Sequence, residues 1–374
     1  MLVYIYFGYP IVIGCVANIK QKNISKNADF EPFVSILIPA FNEEACIEAT
    51  IQNKLDLDYP NGKLEILVVS DGSTDNTDKI VRAIAEREPQ VTIRLFRQVP
   101  RAGKTSGLNM IVPETKCEIL VFSDANSIYD VGALKKLVNN FADSSVGYVT
   151  GKMVYVNADG ALVGDGCSAY MRYENRLRKY ESATGSIVGV DGGIDAIRKN
   201  LYQPLNADQL PDFVQPLKVV EKGFRVVYEP EALLKEQALN DVVSEYRMRV
   251  RVSLRALWAM HDMKKLFNPI AFGFFSFQLF SHKLLRYFGF VAQIILFVSN
   301  LFLVFSGSFF LFSFLSQIVF FALAWLGHVF KEEANQPVYL SLPYYFILLN
   351  LSSAQAAWRY FKGEKQVIWN PRSG

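Results

Sequence analysis

The segment from Val34 to Asn126 limits the fold more than any other part of the chain. It reads, in order, VSILIPAFNEE, ILVVSDGSTDNT, RAGKTSGLN and ILVFSDANS. Short, uncharged, β-branched runs break off at Asp71-Gly72-Ser73 and at Asp124-Ala125-Asn126. Parallel strands buried on both faces read this way. In open α/β sheets the crevice past the carboxyl ends of such strands is where nucleotides bind. Aspartates carried there by neighbouring strand ends suit a nucleotide diphosphate and its metal, so the chain reads as an enzyme.

Strand-like runs at 34–39, 64–70 and 119–123 alternate with helix-like runs at 43–55, 77–88, 103–111 and 132–141. This alternation predicts a mostly parallel sheet with helices on both faces. Asn42 is placed to cap the first helix, with Glu43 and Glu44 at its positive end. Tyr170, Tyr173, Leu177 and Tyr180 recur at helical spacing and predict a packing face.

Apolarity is zoned. Hydrophobic residues make up 51% of the chain, with 29 Phe and 18 Tyr, and the mean hydropathy is +0.16. These values point to membrane segments. Residues 1–19 predict an N-terminal anchor, slightly short for a span of about 20 residues. Residues 31–265 are mixed and water-soluble in character. Residues 266–283, rich in Phe and Gly after Lys264 and Lys265, predict an interfacial segment. Residues 284–360 hold three long apolar stretches, at 284–305, 309–329 and 339–358, that predict transmembrane helices. Arg359, Lys362, Lys365 and Arg372 favour a cytosolic C-terminus. That is consistent with a cytosolic catalytic domain on a plasma or inner membrane only if one apolar segment does not cross. The net charge of +3 gives no nucleic-acid signal. Cys15, Cys46, Cys117 and Cys167 are scattered, with neither metal-ligand spacing nor a disulfide framework.

Several residues can carry chemistry. Asp71 is either an acceptor for a base or ribose or an ordinary turn aspartate. Asp124 and Asn126 share a face if the strand persists that far, and their hard oxygens suit Mg²⁺ or Mn²⁺. Lys104 stands at the start of a small-residue helix, where anions are favoured. Asp212, in Leu210-Pro211-Asp212-Phe213, is either a helix cap or a partly desolvated general base. Arg247, Arg249, Arg251 and Arg255 suit either phosphate oxygens or anionic lipid.

Taken together, PAFNEE, SDGSTDNT, GKTSGLN, SDAN, GGIDAIRK, LPDF, GFRVVYEPEA and the arginine cluster resemble the membrane-bound family 2 glycosyltransferases. That group holds the cellulose, chitin and hyaluronan synthases. The resemblance covers residues from about Val34 to the C-terminus. It implies an α/β fold of the GT-A (Rossmann-like) type and inverting transfer from a nucleotide sugar, with uridine favoured as the base. The acceptor it implies is a glycan or lipid-linked molecule at the membrane. Residue by residue, it places the first nucleotide-binding turn at Pro39, Ala40, Asn42 and Glu43. It places the base-binding aspartate at Asp71, a donor-binding lysine at Lys104, the metal motif at Asp124 and Asn126, the catalytic aspartate at Asp212, and diphosphate contacts at Arg249 and Arg251.

Three departures bear on function. The metal motif ends in Asn126 rather than Asp. Pro211 stands where an acid normally precedes the catalytic aspartate. The Gln-x-x-Arg-Trp motif of the processive synthases is replaced by Met248-Arg249-Val250-Arg251-Val252. Single addition is therefore expected over polymerisation. A processive synthase remains the nearest alternative, and product length distinguishes the two. A nucleotidyl- or phosphotransferase would move phosphoryl groups rather than sugar, and a non-catalytic nucleotide-sugar sensor would bind without turnover.

Overall fold

A computed structural model describes residues 1–156, 166–237, 242–330 and 336–366 of the chain. Arg372, one of the charges used to orient the C-terminus, lies outside the described residues. Eight strands form one sheet: β1 Val34–Ala40, β2 Leu64–Ser70, β3 Thr92–Arg97, β4 Ile119–Ser123, β5 Ile128–Tyr129, β6 Val146–Val156, β7 Ile194–Arg198 and β8 Arg225–Gln237. Their order across the sheet is β3-β2-β1-β4-β7-β6-β8-β5. The first half, β3 to β4, is parallel, as the sequence predicts. Beyond β4 the sheet is mixed, because β7 runs antiparallel to both β4 and β6. The alternation rule could not anticipate this, since β6 and β7 are joined through a long excursion rather than a simple βαβ crossover.

Every residue of β1, β2 and β4 is buried. Helices α2 Ile47–Leu55, α3 Thr77–Arg87 and α4 Gly103–Ile111 connect these strands, and α5 Ala133–Val138 follows β5. The core lies in two clusters. One holds Ile36, Ile38, Ile66 and Val68, and the other Leu37, Leu67, Val69 and Leu120. Alternate side chains of the same strands feed the two clusters, as period-two geometry requires of a sheet covered on both faces.

Helix α1 Tyr9–Ile19, continuing a π-helical turn at Tyr4–Gly8, packs on α6 Gly166–Thr184. Tyr9, Ile13 and Leu177 are its buried contacts, flanked by Tyr173 and Tyr180. Three of the four residues of the predicted packing face on α6 thus have the N-terminal segment as their partner, while Tyr170 packs against Tyr345. The other side of the N-terminal segment exposes Val3, Phe7, Ile11 and Ile19. Helices α7 Pro211–Glu221 and α8 Val242–Asp262 complete the unit built on the sheet.

The segment predicted to be interfacial forms α9 Pro269–Phe272, α10 Phe274–Gln278, a π-helical turn Leu279–Leu284 and α11 Leu285–Tyr287. Phe275 and Leu279 enter the core, while Ile270 stays 95% exposed. Next come α12 Gly289–Leu303, α13 Ser308–Val329 and α14 Val338–Phe361. Among the described residues only Ser308–Val329 is by itself long and apolar enough to cross a membrane. Phe274–Tyr287 and Gly289–Leu303 qualify only as a pair, bent by 57°, and Tyr4–Ile19 is shorter than a span. Helix α14, expected as a third span, does not meet that criterion, and it buries Ala356 and Ala357 in the core that it shares with α8.

Candidate functional site

The parallel strands stop at one level. Ala40 pairs with Ser70 in the β1–β2 register, and the amide of Asp71 donates to the Ala40 carbonyl at 2.8 Å. Leu37 pairs with Phe122, so Asp124 emerges beside the end of β1. Asn42 does not cap a helix. Its φ is +54°, a conformation asparagine tolerates better than most residues, and its Oδ1 accepts from the Thr74 amide at 2.8 Å. Its own amide donates to Ser73 Oγ at 3.1 Å, and the Glu43 amide donates to Thr77 Oγ1 at 2.9 Å. The turn after β1 is thereby clamped to the turn after β2. The first helix consequently starts later than predicted, at Ile47.

Asp71 is buried and saturated by its own chain. It accepts from the amides of Ala102 and Gly103 at 2.8 and 3.1 Å, from Gln98 Nε2 at 2.5 Å and from Arg101 Nε at 3.0 Å. It holds the N-terminus of α4, and this position helps set Lys104. The Arg101 guanidinium lies 3.4 Å from the centroid of the Phe41 ring.

Above the strand ends lies a cavity of about 1820 Å³, larger than the roughly 300–1,000 Å³ of a pocket for one small molecule. Pro39, Asn42, Glu43, Lys104, Asp124, Asn126, Asp212, Arg249 and Arg251 all line it. Ala40 and Asp71 lie in the layer behind. Strand β4 ends at Ser123, so Asp124 and Asn126 share the cavity because of a turn, not the strand periodicity that was expected. Lys104 Nζ sits 2.8 Å from Asp124 Oδ1 and 3.5 Å from Asp212 Oδ1. Burial alone would lower this ammonium's pKa, but the two carboxylates outweigh it and hold the pKa above the ordinary value.

Asp212 occupies the first turn of α7, where a carboxylate is favoured by the helix dipole. Pro211 takes the N1 position, where a missing N–H costs nothing, which accounts for a proline in the place of an acid. Gly192 faces it with φ +90°, and a Cβ there would lie 2.7 Å from Asp212 Oδ2. Burial, together with the charge of Asp124, pushes the Asp212 carboxyl above its ordinary range, while Lys104 and Arg255 restrain it. Arg255 donates to the Asp208 and Gln209 carbonyls at 3.2 and 2.5 Å, tying the loop before Asp212 to α8. Burial lowers its pKa to about 10. One turn earlier, Arg251 is also lowered by burial, with Asp124 opposing. Arg247 is exposed.

A third carboxyl escaped the sequence reading. Asp195, on β7, is fully buried, and neither oxygen makes a well-formed hydrogen bond among the described residues, although the Thr150 and Tyr148 hydroxyls lie close enough to oppose the rise in its pKa. Burial and the nearby Asp212 raise its pKa to about 8. The only signal in the sequence is an acid inside an apolar strand. The ion pair between Arg178 and Asp191, at 2.6 Å, was missed as well.

Among the described residues no group of three or more His, Cys, Asp or Glu could hold a metal ion. Asp124 and Asn126 offer one carboxylate and one amide oxygen on the cavity wall. That donor set fits a hard cation which completes its shell with substrate phosphates and water, not a self-sufficient metal centre.

Residues 35–202 match the family described as "Glycosyl transferase family 2". The Bacillus subtilis (strain 168) protein named "Probable glycosyltransferase YdaM" is 30% identical over 305 residues, covering 75% of this chain and 70% of that protein. A "Beta-monoglucosyldiacylglycerol synthase" of Nostoc sp. (strain PCC 7120 / SAG 25.82 / UTEX 2576) is 31% identical over 168 residues. That match covers 45% of this chain and only 36% of the synthase. In fold, the chain is similar to the mannosyltransferase PcManGT of Pyrobaculum calidifontis, solved with GDP-Man and Mn²⁺. The TM-score is 0.76 at 22% identity, with 97% of each chain covered.

Proposed function

The chain belongs to glycosyltransferase family 2, and from that premise we propose that it moves a single sugar, with inversion, from a nucleotide sugar to a glycan or lipid-linked hydroxyl at a membrane surface. The observation that carries this reading is one cavity lined together by Asp124 at a strand end, Lys104 of α4, Arg251 of α8, Asp212 of α7 and side chains of the apolar C-terminal helices. We read the turn of Pro39, Ala40, Asn42 and Glu43 as the nucleotide's seat. Asp71 acts there indirectly, by ordering Arg101 and the start of α4. A uridine nucleotide is the preferred donor.

Asp124 and Asn126 would hold Mg²⁺ or Mn²⁺ together with the donor's diphosphate, and the cation supplies positive charge where the leaving group becomes negative. Lys104 and Arg251 add fixed charge on the same side, with Arg251 offering directed hydrogen bonds to phosphate oxygens. Asp212 takes the proton of the acceptor hydroxyl as its oxygen attacks the anomeric carbon. The bond from that carbon to the diphosphate breaks, and its electron pair leaves with the nucleotide. A raised carboxyl pKa suits a base near neutral pH.

The membrane setting rests on α13 and on the exposed apolar faces of the N-terminal helix and the segment Pro269–Gln278. We assign residues 1–19 to an anchor, 31–265 to catalysis on the cytosolic side, 266–283 to the interface and 284–360 to membrane helices.

The test is a panel of labelled UDP- and GDP-sugars offered to membranes containing the chain, with and without EDTA, alongside Asp212→Asn membranes. Label that depends on Asp212 and on a divalent cation, in lipid-extractable or short products, is the expected result. Label in high polymer would show a processive synthase. Nucleotide binding with no transfer from any donor would favour a sensor.

A further inference from the structure

Among the cavity cations that the reaction just described does not use, Lys283 stands apart. Lys283 lies in the π-helical turn Leu279–Leu284, one turn before Arg286 and Tyr287. These three residues share a helix face, and all line the cavity. The Lys283 ammonium rests against Gly189, where a Cβ would collide with Nζ, so the absence of a side chain at 189 makes its seat. The Phe213 ring lies 6.0 Å away. Lys283 makes no hydrogen bond or ion pair among the described residues.

Its neighbours differ. Arg178 is paired with Asp191 at 2.6 Å, and Arg286 is paired with Glu174. Arg249 donates to Tyr345 Oη at 2.5 Å. Arg249 and Arg286 both lie over the Tyr170 ring, at 5.9 and 5.6 Å. Glu174 and Glu181 act on Lys283 only at longer range, and a half-buried ammonium with no anion in direct contact is costly unless something anionic or wet fills the space before it. The loop 189–192 sets its position. Gly189 touches Lys283 on one side and Gly192 touches Asp212 on the other, so the ammonium stands a few residues of backbone away from the base.

The three C-terminal helices wall the same cavity with large apolar side chains, Leu296 of α12, Phe320 of α13, and Phe346 and Leu349 of α14, among which stand the polar groups of Gln293, Gln317 and Asn350. We propose that this half of the cavity binds the acceptor as a phosphate-bearing lipid. Lys283, assisted by Arg249, holds the phosphate, the hydrocarbon chain lies among α12–α14, and a hydroxyl of the headgroup reaches Asp212. The proposal rests on the glycosyltransferase reading and narrows its acceptor. Transfer joins that hydroxyl oxygen to the anomeric carbon, passes its proton to Asp212 and releases the nucleoside diphosphate.

Two lipids carry this chemistry: phosphatidylglycerol and a prenyl-diphosphate-linked sugar. The experiment measures binding of each to the full chain in dodecyl maltoside by native mass spectrometry, without donor, against uncharged diacylglycerol. UDP and GDP binding is titrated separately. At least one phosphate lipid is expected to bind about tenfold or more tighter than diacylglycerol, the scale of a hydrogen-bonded charge. Lys283→Gln should remove that advantage and Lys283→Arg should keep most of it, with nucleotide binding unchanged in both. Whichever lipid responds identifies the acceptor source. Equal binding of diacylglycerol, or an undiminished preference in a Lys283→Gln variant that still binds nucleotide, overturns the proposal. If the unaltered chain binds neither nucleotide, the glycosyltransferase reading fails instead, and the lipid result is judged separately.

Discussion

The two halves of the cavity are built on opposite plans. At the strand ends almost every charge is answered at short range: Asp71 by four donors, Asp124 by Lys104, and Arg255 by two carbonyls. Toward the apolar helices, polar atoms are left over. Gln293 Nε2, Gln317 Oε1 and Asn350 Oδ1 are buried without partners among the described residues, in side chains that line the cavity. A fully paired network holds its shape before the ligand comes, whereas a partly paired one is costly until something fills it. The donor half is therefore a preformed frame. The other half is a space whose polar groups await a second substrate.

Asp212 stands at the seam, and the largest effect is expected there. Asp212→Asn keeps the shape and removes the base. It should lower kcat by about 10² to 10⁴ while leaving donor affinity close to unaltered, since Lys104 keeps its shorter contact, to Asp124 at 2.8 Å. Steady-state kinetics with a parallel nucleotide titration separates the two quantities. A large loss of donor affinity in this variant would mean that the halves are not independent.

The next largest effect concerns the charge shared across the seam. Lys104 restrains the upward push on Asp212. In Lys104→Met that restraint is lost, so Asp212 binds its proton more tightly. The acidic limb of the kcat/KM profile should move to higher pH, and the plateau should fall as charge at the diphosphate is lost. A lower plateau with an unmoved limb would assign Lys104 to the donor alone and separate it from the base.

The same contrast explains what could be read from the sequence. β1, β2 and β4, with α4, appear almost where predicted, because an apolar run ending in a turn is a local signal. The residues gathered at the strand ends were legible for the same reason. Asn42 was misread as a cap because its hydrogen bonds run to Ser73 and Thr74, which no local pattern reveals. The acceptor half was not legible. Gly189, Phe213 and Lys283 meet only through tertiary packing, and a lysine in an apolar stretch otherwise reads as an interfacial charge. Helix α14 marks the limit of composition, because an apolar helix that packs on a protein core and one that spans a membrane look alike in sequence until their neighbours are known.

The smallest expected effect tests whether the donor frame is as fully satisfied as it looks. Asp195 is its clearest exception among the buried carboxylates, since neither oxygen makes a well-formed hydrogen bond among the described residues. Its pKa is raised from 3.8 to about 8. Between those values the unfolded chain has lost the proton and the folded chain keeps it. The unfolded state then binds fewer protons, so stability contributed at this site falls as pH rises through that window. Asp195→Asn retains the shape and cannot ionise. Its Tm should match the parent's near pH 4 and exceed it by a margin that grows toward pH 8, as followed by scanning fluorimetry. A margin that stays constant with pH would mean that Asp195 is ionised in the folded chain and answered by a charge, in which case the donor half has no weak point and the contrast between the two halves is complete.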